Sequence, residues 1–228
     1  MRAVEGGGER MTRRAPRLRI AENAMLRSGC LPIVSDLSPQ LLLSAYSQGI
    51  FPMADEYGDV SWYDPDPRAI LPLDESFRIS RSLRRVIQQS RFEIRVDTCF
   101  SEVMRACAAP GKGRDHTWIS DEFVEVYSQL NRLGFAHSVE VWLDEKLVGG
   151  LYGVHIGGLF AGESMFSRVT EASKVALAHL TDHLRQRGFV LHDTQYMTPH
   201  LKRFGAMEIP REDYKERLAK AIRVNSKW

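Results

Sequence analysis

Three polar side chains in this sequence stand at the ends of apolar strands, where ligands and chemistry collect in open α/β sheets. Glu163 lies in the otherwise small or apolar run GGLFAGESMFSR, residues 157–168. Asp193 and Gln195 follow the apolar lead-in FVL, residues 189–191. A carboxylate in such surroundings is costly unless it meets a partner or a ligand. The sequence therefore marks Glu163, Asp193 and Gln195 as candidate catalytic residues.

Asp193 and Gln195 are two residues apart on an extended segment, and this spacing predicts that their side chains share one face. A carboxylate beside an amide can orient it and share a proton with it. Glu163 taken alone has an alternative interpretation, a strand-end carboxylate that simply reaches water, because charged side chains are mostly exposed.

Length and composition bound the class of protein. The chain has 228 residues with 43% hydrophobic content, enough for a substantial core in one large domain or in a medium domain with a small companion. It contains no apolar run near the roughly 20 residues of a membrane span, and its three cysteines lack metal-type spacing. These features predict a monomeric cytoplasmic protein with no membrane partner and no structural metal.

The chain divides into three predicted parts. Residues 1–30 form a basic tail, with seven Arg against three Glu in residues 1–28. Residues 31–67 form a small N-terminal domain, and residues 68–228 form the main domain. Ser38, Ser80 and Ser120 are predicted helix N-caps, and residues 50–71, rich in Pro, Asp and aromatics, are predicted to be irregular.

The order of elements in the main domain is typical of an α+β fold. An antiparallel meander is predicted over residues 137–166, then a long helix from near Glu171 to Gly188, a strand over 189–193 and two further helices. This order resembles the C-terminal half of the acetyltransferase-like (GNAT) superfold. Members that use acyl-CoA carry a glycine-rich pyrophosphate loop before the long helix, and residues 167–174, SRVTEASK, contain no glycine. The acyl donor is therefore expected to be something other than CoA.

Ten segments in order and spacing then resemble the leucyl/phenylalanyl-tRNA protein transferase family. They are SQGIFPM at 47–53, PDPRAIL at 65–71, ISRSLR at 79–84, TWIS at 117–120, AHSVEVW at 136–142, LVGGLYGV at 147–154, GESMFSR at 162–168, ASK at 172–174, DTQ at 193–195 and HLKRFGA at 200–206. The resemblance implies an enzyme that moves Leu or Phe, and less readily Met, from aminoacyl-tRNA to an N-terminal Arg or Lys of a protein. The product is an N-degron, and no cofactor is implied because the aminoacyl ester is already activated.

The resemblance also implies residue roles. Gln195 contacts the acceptor amine, Asp193 orients Gln195, and Glu163 lies near the aminoacyl group and holds its α-amine. Proton transfer through these side chains and assistance from the tRNA ribose 2′-hydroxyl both remain open. The aminoacyl side chain is expected in an apolar pocket, although a helical Leu stripe is also what a plain core shows; the pocket residues are Leu151, Met165, Leu177, Leu180 and Leu184.

The tRNA contacts are implied in the same way. Met53 and Trp118 are expected at the terminal 3′ adenosine, where an aromatic ring can stack on the base. Arg78, Arg81, Arg84 and Arg85 are expected on the tRNA backbone, and an ordinary solvated helix face is their alternative interpretation. Met53 stands where many members have Trp, and His192 occupies a usually apolar position. Two rival functions stay open: another tRNA- or CoA-dependent N-acyltransferase, and a non-catalytic RNA-binding relative.

Overall fold

A computed structural model describes residues 37–55, 57–110 and 117–228. The predicted basic tail and the first residues of the predicted N-terminal domain lie outside the described residues. In the described part, no helix is long and apolar enough to cross a membrane.

The described residues form nine strands and seven helices. In chain order they are α1 (Pro39–Tyr46), β1 (Phe51–Ala54), β2 (Val60–Tyr63), β3 (Arg68–Leu71), α2 (Arg81–Gln88), β4 (Glu93–Val96), α3 (Phe100–Ala108), α4 (Asp121–Arg132), β5 (Ala136–Leu143), β6 (Lys146–Ile156), β7 (Leu159–Ser167), α5 (Ala172–Gln186), β8 (Leu191–Gln195), α6 (Pro199–Lys202), β9 (Met207–Ile209) and α7 (Arg211–Ala221).

The three predicted helix caps are confirmed. The hydroxyl oxygens of Ser38, Ser80 and Ser120 accept hydrogen bonds from backbone N–H groups three residues on, at 3.2, 3.1 and 3.3 Å. Each cap pairs a donor that the first helical turn leaves without an intrahelical partner. Gly134 (φ +80°) follows α4 and Gly188 (φ +74°) follows α5, where a left-handed residue ends the helix at little steric cost.

The main sheet has seven strands in the order β4-β5-β6-β7-β8-β3-β9. Strands β5, β6 and β7 form the predicted antiparallel meander, and α5 crosses over to bring β8 parallel to β7. The α+β class and the predicted order of meander, long helix and following strand are confirmed. The parallel pairing covers Leu159 to Ala161 against Leu191 to Asp193, so the two strands separate beyond that point.

Helices cover both faces of this sheet. One face packs against α2 and α5 through residues such as Leu83, Leu151 and Leu177. The other face packs against α1, α3 and α4, and α7 covers its end beside β3 and β8. The sheet thus lies between two hydrophobic cores, and each core has its own helices.

The prediction of irregular structure over residues 50–71 is wrong. Strands β1 and β2 form an antiparallel hairpin with Phe51 opposite Tyr63 and Ala54 opposite Val60, and β3 joins the main sheet between β8 and β9. The aromatic side chains in β1 and β2 favour strands. Pro52 is tolerated because a two-stranded sheet has only edges. Strand β8 also begins two residues later than predicted.

The predicted boundary at residue 67 stays a prediction. Leu42 and Tyr46 of α1 belong to the same buried cluster as Phe123 of α4 and Tyr152 of β6. The N-terminal segment therefore contributes side chains to the core of the main sheet.

We expect Leu42→Ala to destabilise the whole chain. Leu42 is fully buried, so its truncation leaves a cavity and should lower the free energy of unfolding by about 2–5 kcal/mol. Denaturant unfolding followed by fluorescence and circular dichroism should show one transition at a lower midpoint. Leu133→Ala is the control, because Leu133 is 58% exposed and its loss should change stability by less than about 0.5 kcal/mol. Two separate transitions, with only one affected, would contradict the shared core.

Candidate functional site

A cavity of about 490 Å³ opens where β7 and β8 separate. Strands β6, β7 and β8 form its floor, and helices α5 and α6 and strand β1 form its walls. Most of the wall is apolar, and polar groups from β7 and β8 stand at one part of it. These polar groups include Glu163 and Gln195.

Two β-bulges place the polar residues at this cavity. In β7, Gly162 pairs with Gly153 and Ser164 pairs with Tyr152, so Glu163 is an extra residue without a partner opposite. In β8, Gln195 pairs with Ala69 and Asp193 pairs with Ile70, so Thr194 is the extra residue. Bulges turn a side chain away from the direction that regular alternation would give it, and they are frequent next to active sites.

The bulge at Thr194 overturns the prediction that Asp193 and Gln195 share a face. Because Ala69 and Ile70 are consecutive and point to opposite faces, their partners Gln195 and Asp193 do so too. Gln195 lines the cavity, and Asp193 does not. Thr194 also lines the cavity, and its hydroxyl donates to the Ala69 carbonyl at 3.2 Å.

Asp193 is buried, and each of its oxygens accepts two hydrogen bonds. Arg68 donates through Nε to Oδ1 at 2.9 Å and through Nη2 to Oδ2 at 2.6 Å. The Tyr214 hydroxyl donates to Oδ2 at 2.8 Å, and the Gln195 backbone N–H donates to Oδ1 at 2.9 Å. Asp193 therefore holds the Gln195 backbone through a direct bond and does not itself reach the cavity.

Gln195 takes a backbone conformation that non-glycine residues rarely adopt, with φ +58°. The bond from its N–H to Asp193 stabilises this conformation. Its side-chain Nε2 donates to Glu163 Oε1 at 3.1 Å, so the structure brings these two predicted residues into contact. A strained residue fixed by its surroundings is typical of functional sites.

The ionisation of Glu163 is strongly perturbed. Burial raises the pKa of the Glu163 carboxyl from 4.5 to about 8, and hydrogen bonding from Tyr46 lowers it by less. The negative charge of Asp193 adds to the rise, while Arg68 and Gln195 oppose it. A carboxyl with a pKa near neutrality can either give or take a proton at working pH.

Two buried tyrosines, Tyr46 and Tyr127, lie close to Glu163. The hydroxyls of Tyr46 and Tyr127 lie 2.5 Å apart, and Tyr46 also hydrogen-bonds with Glu163. Burial raises the pKa of both phenols well above 10, with the nearby Glu163 charge adding to the rise. Both therefore stay protonated at neutral pH.

Four of the five predicted pocket residues line the cavity, namely Leu151, Met165, Leu177 and Leu180. Leu184 does not, because it lies one turn further along α5 and is fully buried in the core. The predicted helical stripe is thus pocket wall near the start of α5 and plain core near its end.

The predicted adenosine contacts lie close together. Met53 lines the cavity, and the Ala54 N–H next to it donates to the Trp118 carbonyl at 3.4 Å. Trp118 is half-buried, is not among the residues that line the cavity and packs edge-on against Phe123 at 5.6 Å. Both residues therefore stand near one side of the cavity opening by β1.

The predicted backbone-binding arginines, Arg78, Arg81, Arg84 and Arg85, are all exposed, on α2 or just before it. The Arg78 backbone N–H donates to the Phe204 carbonyl at 2.9 Å. Phe204 follows α6, whose His200 and Leu201 line the cavity, so this bond ties the arginine segment to a cavity wall.

Sequence reasoning did not identify Arg68 and Tyr214 as supporting residues. Arg68 was noticed only within a matching segment, although it opens the apolar strand RAIL. An arginine in such a run requires a buried anion, and that requirement could have linked it to Asp193. Tyr214 gives no such signal, because a tyrosine on an amphipathic helix is ordinary core.

Among the described residues, no group of three or more His, Cys, Asp or Glu side chains could hold a metal ion.

Some solved structures can be aligned with this chain at low sequence identity. The structure of L-PGS from Bacillus licheniformis is 10% identical, with a TM-score of 0.43 over 76% of this chain and 66% of that one. A GCN5-related N-acetyltransferase-like protein from Streptococcus suis is 15% identical, with a TM-score of 0.36 over 75% of this chain and 63% of that one.

Sequence relatives are much closer. The leucyl/phenylalanyl-tRNA--protein transferase of Herpetosiphon aurantiacus is 60% identical over 190 residues, which cover 83% of this chain and 97% of the relative. Those of Gloeobacter violaceus and Akkermansia muciniphila are 53% and 50% identical over 84% and 82% of this chain, and over 97% and 96% of their own lengths.

Family matching covers the same part of the chain. Residues 35–66 match the leucyl/phenylalanyl-tRNA protein transferase N-terminal domain, and residues 70–219 match the leucyl/phenylalanyl-tRNA protein transferase. Together with the close relatives, these matches show that the chain belongs to the leucyl/phenylalanyl-tRNA protein transferase family of aminoacyltransferases.

Proposed function

We propose that this chain transfers leucine or phenylalanine, and less readily methionine, from aminoacyl-tRNA to an N-terminal arginine or lysine of a protein. It acts as a monomer in the cytoplasm, where charged tRNA is used, and its product is an N-degron. The observation that carries the proposal is an apolar cavity whose polar part is the contact between Glu163 and Gln195. Family membership supports the same reaction.

The reaction is the aminolysis of an ester. The acceptor α-amine attacks the ester carbonyl, a C–N bond forms, and the C–O bond to the ribose oxygen breaks. One proton leaves the amine and one proton reaches the ribose oxygen, so the products are a peptide bond and a free tRNA 3′ end. The ester is already activated, and positioning of the two reactants supplies much of the acceleration.

Gln195 is the proposed contact for the acceptor amine. Its Nε2 donates to Glu163, which directs the opposite atom of the amide, Oε1, towards other donors such as an α-ammonium. An α-amine has a pKa of about 7.7–8.0, so only a weak acceptor is needed near neutrality. Asp193 is a positioning residue in this scheme, because it holds the Gln195 backbone and does not line the cavity.

Glu163 is proposed to bind the α-amine of the aminoacyl group. With its pKa raised to about 8 by burial, the free carboxyl is mostly protonated at pH 7. A bound ammonium favours the carboxylate form, since an opposite charge within a few ångströms lowers a carboxyl pKa. Amine binding and ionisation of Glu163 are therefore coupled.

The apolar wall sets the side chain that the site accepts. Leu151, Met165, Leu177 and Leu180 present only hydrocarbon and thioether surface. A pocket of this kind excludes charged side chains by desolvation but distinguishes one methylene by only about 1–3 kcal/mol. Leu and Phe should therefore both be accepted.

The tRNA is proposed to run from the cavity towards α2. The terminal adenosine would lie at Met53 and Trp118, and phosphates would meet Arg78, Arg81, Arg84 and Arg85. These arginines are exposed and free of the large burial cost that Arg68 bears. Contacts of this type are salt-sensitive and independent of sequence.

CoA is a weaker candidate donor. Residues 168–171, between β7 and α5, lack glycine, and Glu171 at the N-cap of α5 pairs with Lys174 at 2.7 Å. A carboxylate at the N-terminus of a helix opposes a pyrophosphate there. A purely RNA-binding role would leave the strained Gln195 and the perturbed Glu163 without a purpose.

Transfer can be tested directly with radiolabelled Leu-tRNA and peptides that begin with Arg, Lys, Asp or Ala. We expect label on the Arg and Lys peptides and none on the other two. Labelled acetyl-CoA with the same peptides should give no product. Transfer to Asp in place of Arg would overturn the acceptor assignment, and binding of tRNA without any transfer would favour the RNA-binding role.

Asp193→Ala should lower turnover on the order of 100-fold, because a misplaced Gln195 no longer meets the amine. Its affinity for Leu-tRNA, measured by filter binding, should change little. Arg68 loses its partner in this variant, so the free energy of unfolding should also fall, by about 3–5 kcal/mol. The assays should therefore be run well below the melting temperature of the variant.

Tyr214→Phe is the matched control for this variant. It removes one hydrogen bond to Asp193 Oδ2 but leaves the bond between Asp193 and the Gln195 backbone in place. We expect its turnover to fall far less than that of Asp193→Ala. Equal losses of turnover and tRNA affinity in Asp193→Ala would instead indicate a general structural role.

The raised pKa of Glu163 has a measurable effect on stability. Between about pH 4.5 and pH 8 the folded chain keeps a proton on Glu163 that the unfolded chain has lost. The contribution of this carboxyl to the free energy of unfolding is therefore fully present below pH 4.5. It falls by up to about 1.4 kcal/mol per pH unit as the pH rises towards the folded pKa. Glu163→Gln cannot titrate and is the reference. Urea unfolding of both chains over this range should show that the free energy of unfolding of the wild type falls relative to that of Glu163→Gln as the pH rises. Parallel pH curves for the two chains would disprove the perturbed ionisation.

A further inference from the structure

Two histidines line the cavity, His200 on α6 and His192 on β8, and His192 is the more deeply buried of the two. His192 lies in β8, opposite Phe160 of β7 and Leu71 of β3, and it lines the same cavity as Leu151 and Leu177. It is only 1% exposed, so its ring meets the cavity contents and almost no bulk solvent. Within the wall that receives the aminoacyl side chain, it is a polar group among hydrocarbons.

The ring is held in one orientation. The Phe160 ring packs against it nearly at right angles, with centroids 5.7 Å apart. Gly162, which also lines the cavity, leaves open the space beside the ring, since a Cβ at that position would lie 3.3 Å from His192 Nε2. Nε2 is therefore the ring nitrogen next to the cavity floor at Gly162.

The other ring nitrogen, Nδ1, is buried and has no hydrogen-bond partner among the residues that the structure describes. An interior N–H without a partner is rarer than an interior lone pair without one. We therefore assign the proton to Nε2. Burial lowers the pKa of His192 to about 4, and the nearby Asp193 charge only partly opposes this, so the ring is neutral at working pH.

We propose that His192 is a specificity-determining residue that makes the aminoacyl pocket prefer a donor side chain with a hydrogen-bond acceptor, the methionine thioether, over a hydrocarbon side chain of the same shape. This inference rests on the proposed function and goes beyond it, because an apolar pocket alone ranks donors by size. The thioether sulfur accepts from Nε2–H, whereas a methylene in its place leaves that N–H facing hydrocarbon.

The size of the effect follows from the kind of bond. A single hydrogen bond to an acceptor such as sulfur should change the specificity constant by about three- to tenfold. Norleucine is the matched donor, because it replaces the methionine sulfur with a methylene and keeps the chain length. The same initiator or elongator tRNA can carry either amino acid, so the tRNA contacts are identical in the two substrates.

The test compares kcat/KM for Met-tRNA and norleucyl-tRNA with an Arg-initiated peptide as acceptor. We expect the wild type to favour methionine about three- to tenfold, and His192→Leu to remove the preference or reverse it in favour of the more apolar norleucine. Leu177→Ile is the control, because it changes the same wall while keeping that position purely hydrocarbon, and it should keep the wild-type ratio.

The outcomes separate this inference from the proposed function. No transfer of Leu, Phe, Met or norleucine would mean that the proposed function is wrong. Transfer with a wild-type ratio of one or below would overturn the role of His192 alone. A preference that persists in His192→Leu would assign the hydrogen bond to another side chain and likewise overturn it. Should His192→Leu fail to fold, His192→Phe takes its place, because it keeps a flat ring but has no hydrogen-bond donor, and the same loss of preference is expected.

Discussion

The buried pair of Arg68 and Asp193 is the interaction on which the site depends. Both side chains are 1% exposed, and removing two charges from water costs several kcal/mol for each ion. Here the cost is offset by geometry, since the guanidinium and carboxylate meet through two parallel bonds. Arg68 Nη1 also donates to the Gly49 carbonyl at 2.8 Å, and Tyr214 joins from α7. One ion pair thus links the segment after α1, strands β3 and β8, and α7.

This pair explains why Gln195 can hold a strained backbone. The bond from its N–H ends on Asp193 Oδ1, the same oxygen that Arg68 Nε fixes. A residue in the left-handed region costs on the order of 1 kcal/mol or more, and it persists only where its surroundings determine it. An isolated Asp–Gln pair on a strand would lack that support. The position of Gln195 therefore depends on a salt bridge whose residues do not line the cavity.

Much of the fold could be predicted from the sequence, because helix caps, turns and side-chain periodicity are set by residues that are close together in the chain. Caps at Ser38, Ser80 and Ser120, the meander and the long helix follow from turn chemistry and side-chain periodicity. Gly149 lies in the predicted meander, and the structure shows why no side chain fits there: a Cβ at Gly149 would lie 2.5 Å from Ala172 Cβ. Without side chains there, the start of α5 packs close to β6. That contact brings Leu177 within reach of the cavity.

The orientation of the site residues could not be predicted, because a bulge leaves no local signal. Periodicity places Asp193 and Gln195 on one face, and the extra residue Thr194 reverses that result. The same holds for Glu163, which stands outside the regular pairing of β7. The hairpin of β1 and β2 was missed because Pro52 and the Asp and Gly residues between the strands are typical of irregular structure, and because the pairing partner is not visible in either strand alone.

In the proposed function, the apolar pocket and Glu163, the proposed ligand of the donor α-amine, form one physical system. Glu163 owes its raised pKa first to burial, and it lines the same cavity as Leu151, Met165 and Leu177. A fitting side chain displaces water and deepens that burial, which strengthens the attraction between Glu163 and the bound ammonium beside it. A side chain that leaves water in the cavity weakens the same attraction. Selection of the donor and binding of its amine are therefore coupled through the dielectric of one cavity, so a poor fit lowers both together.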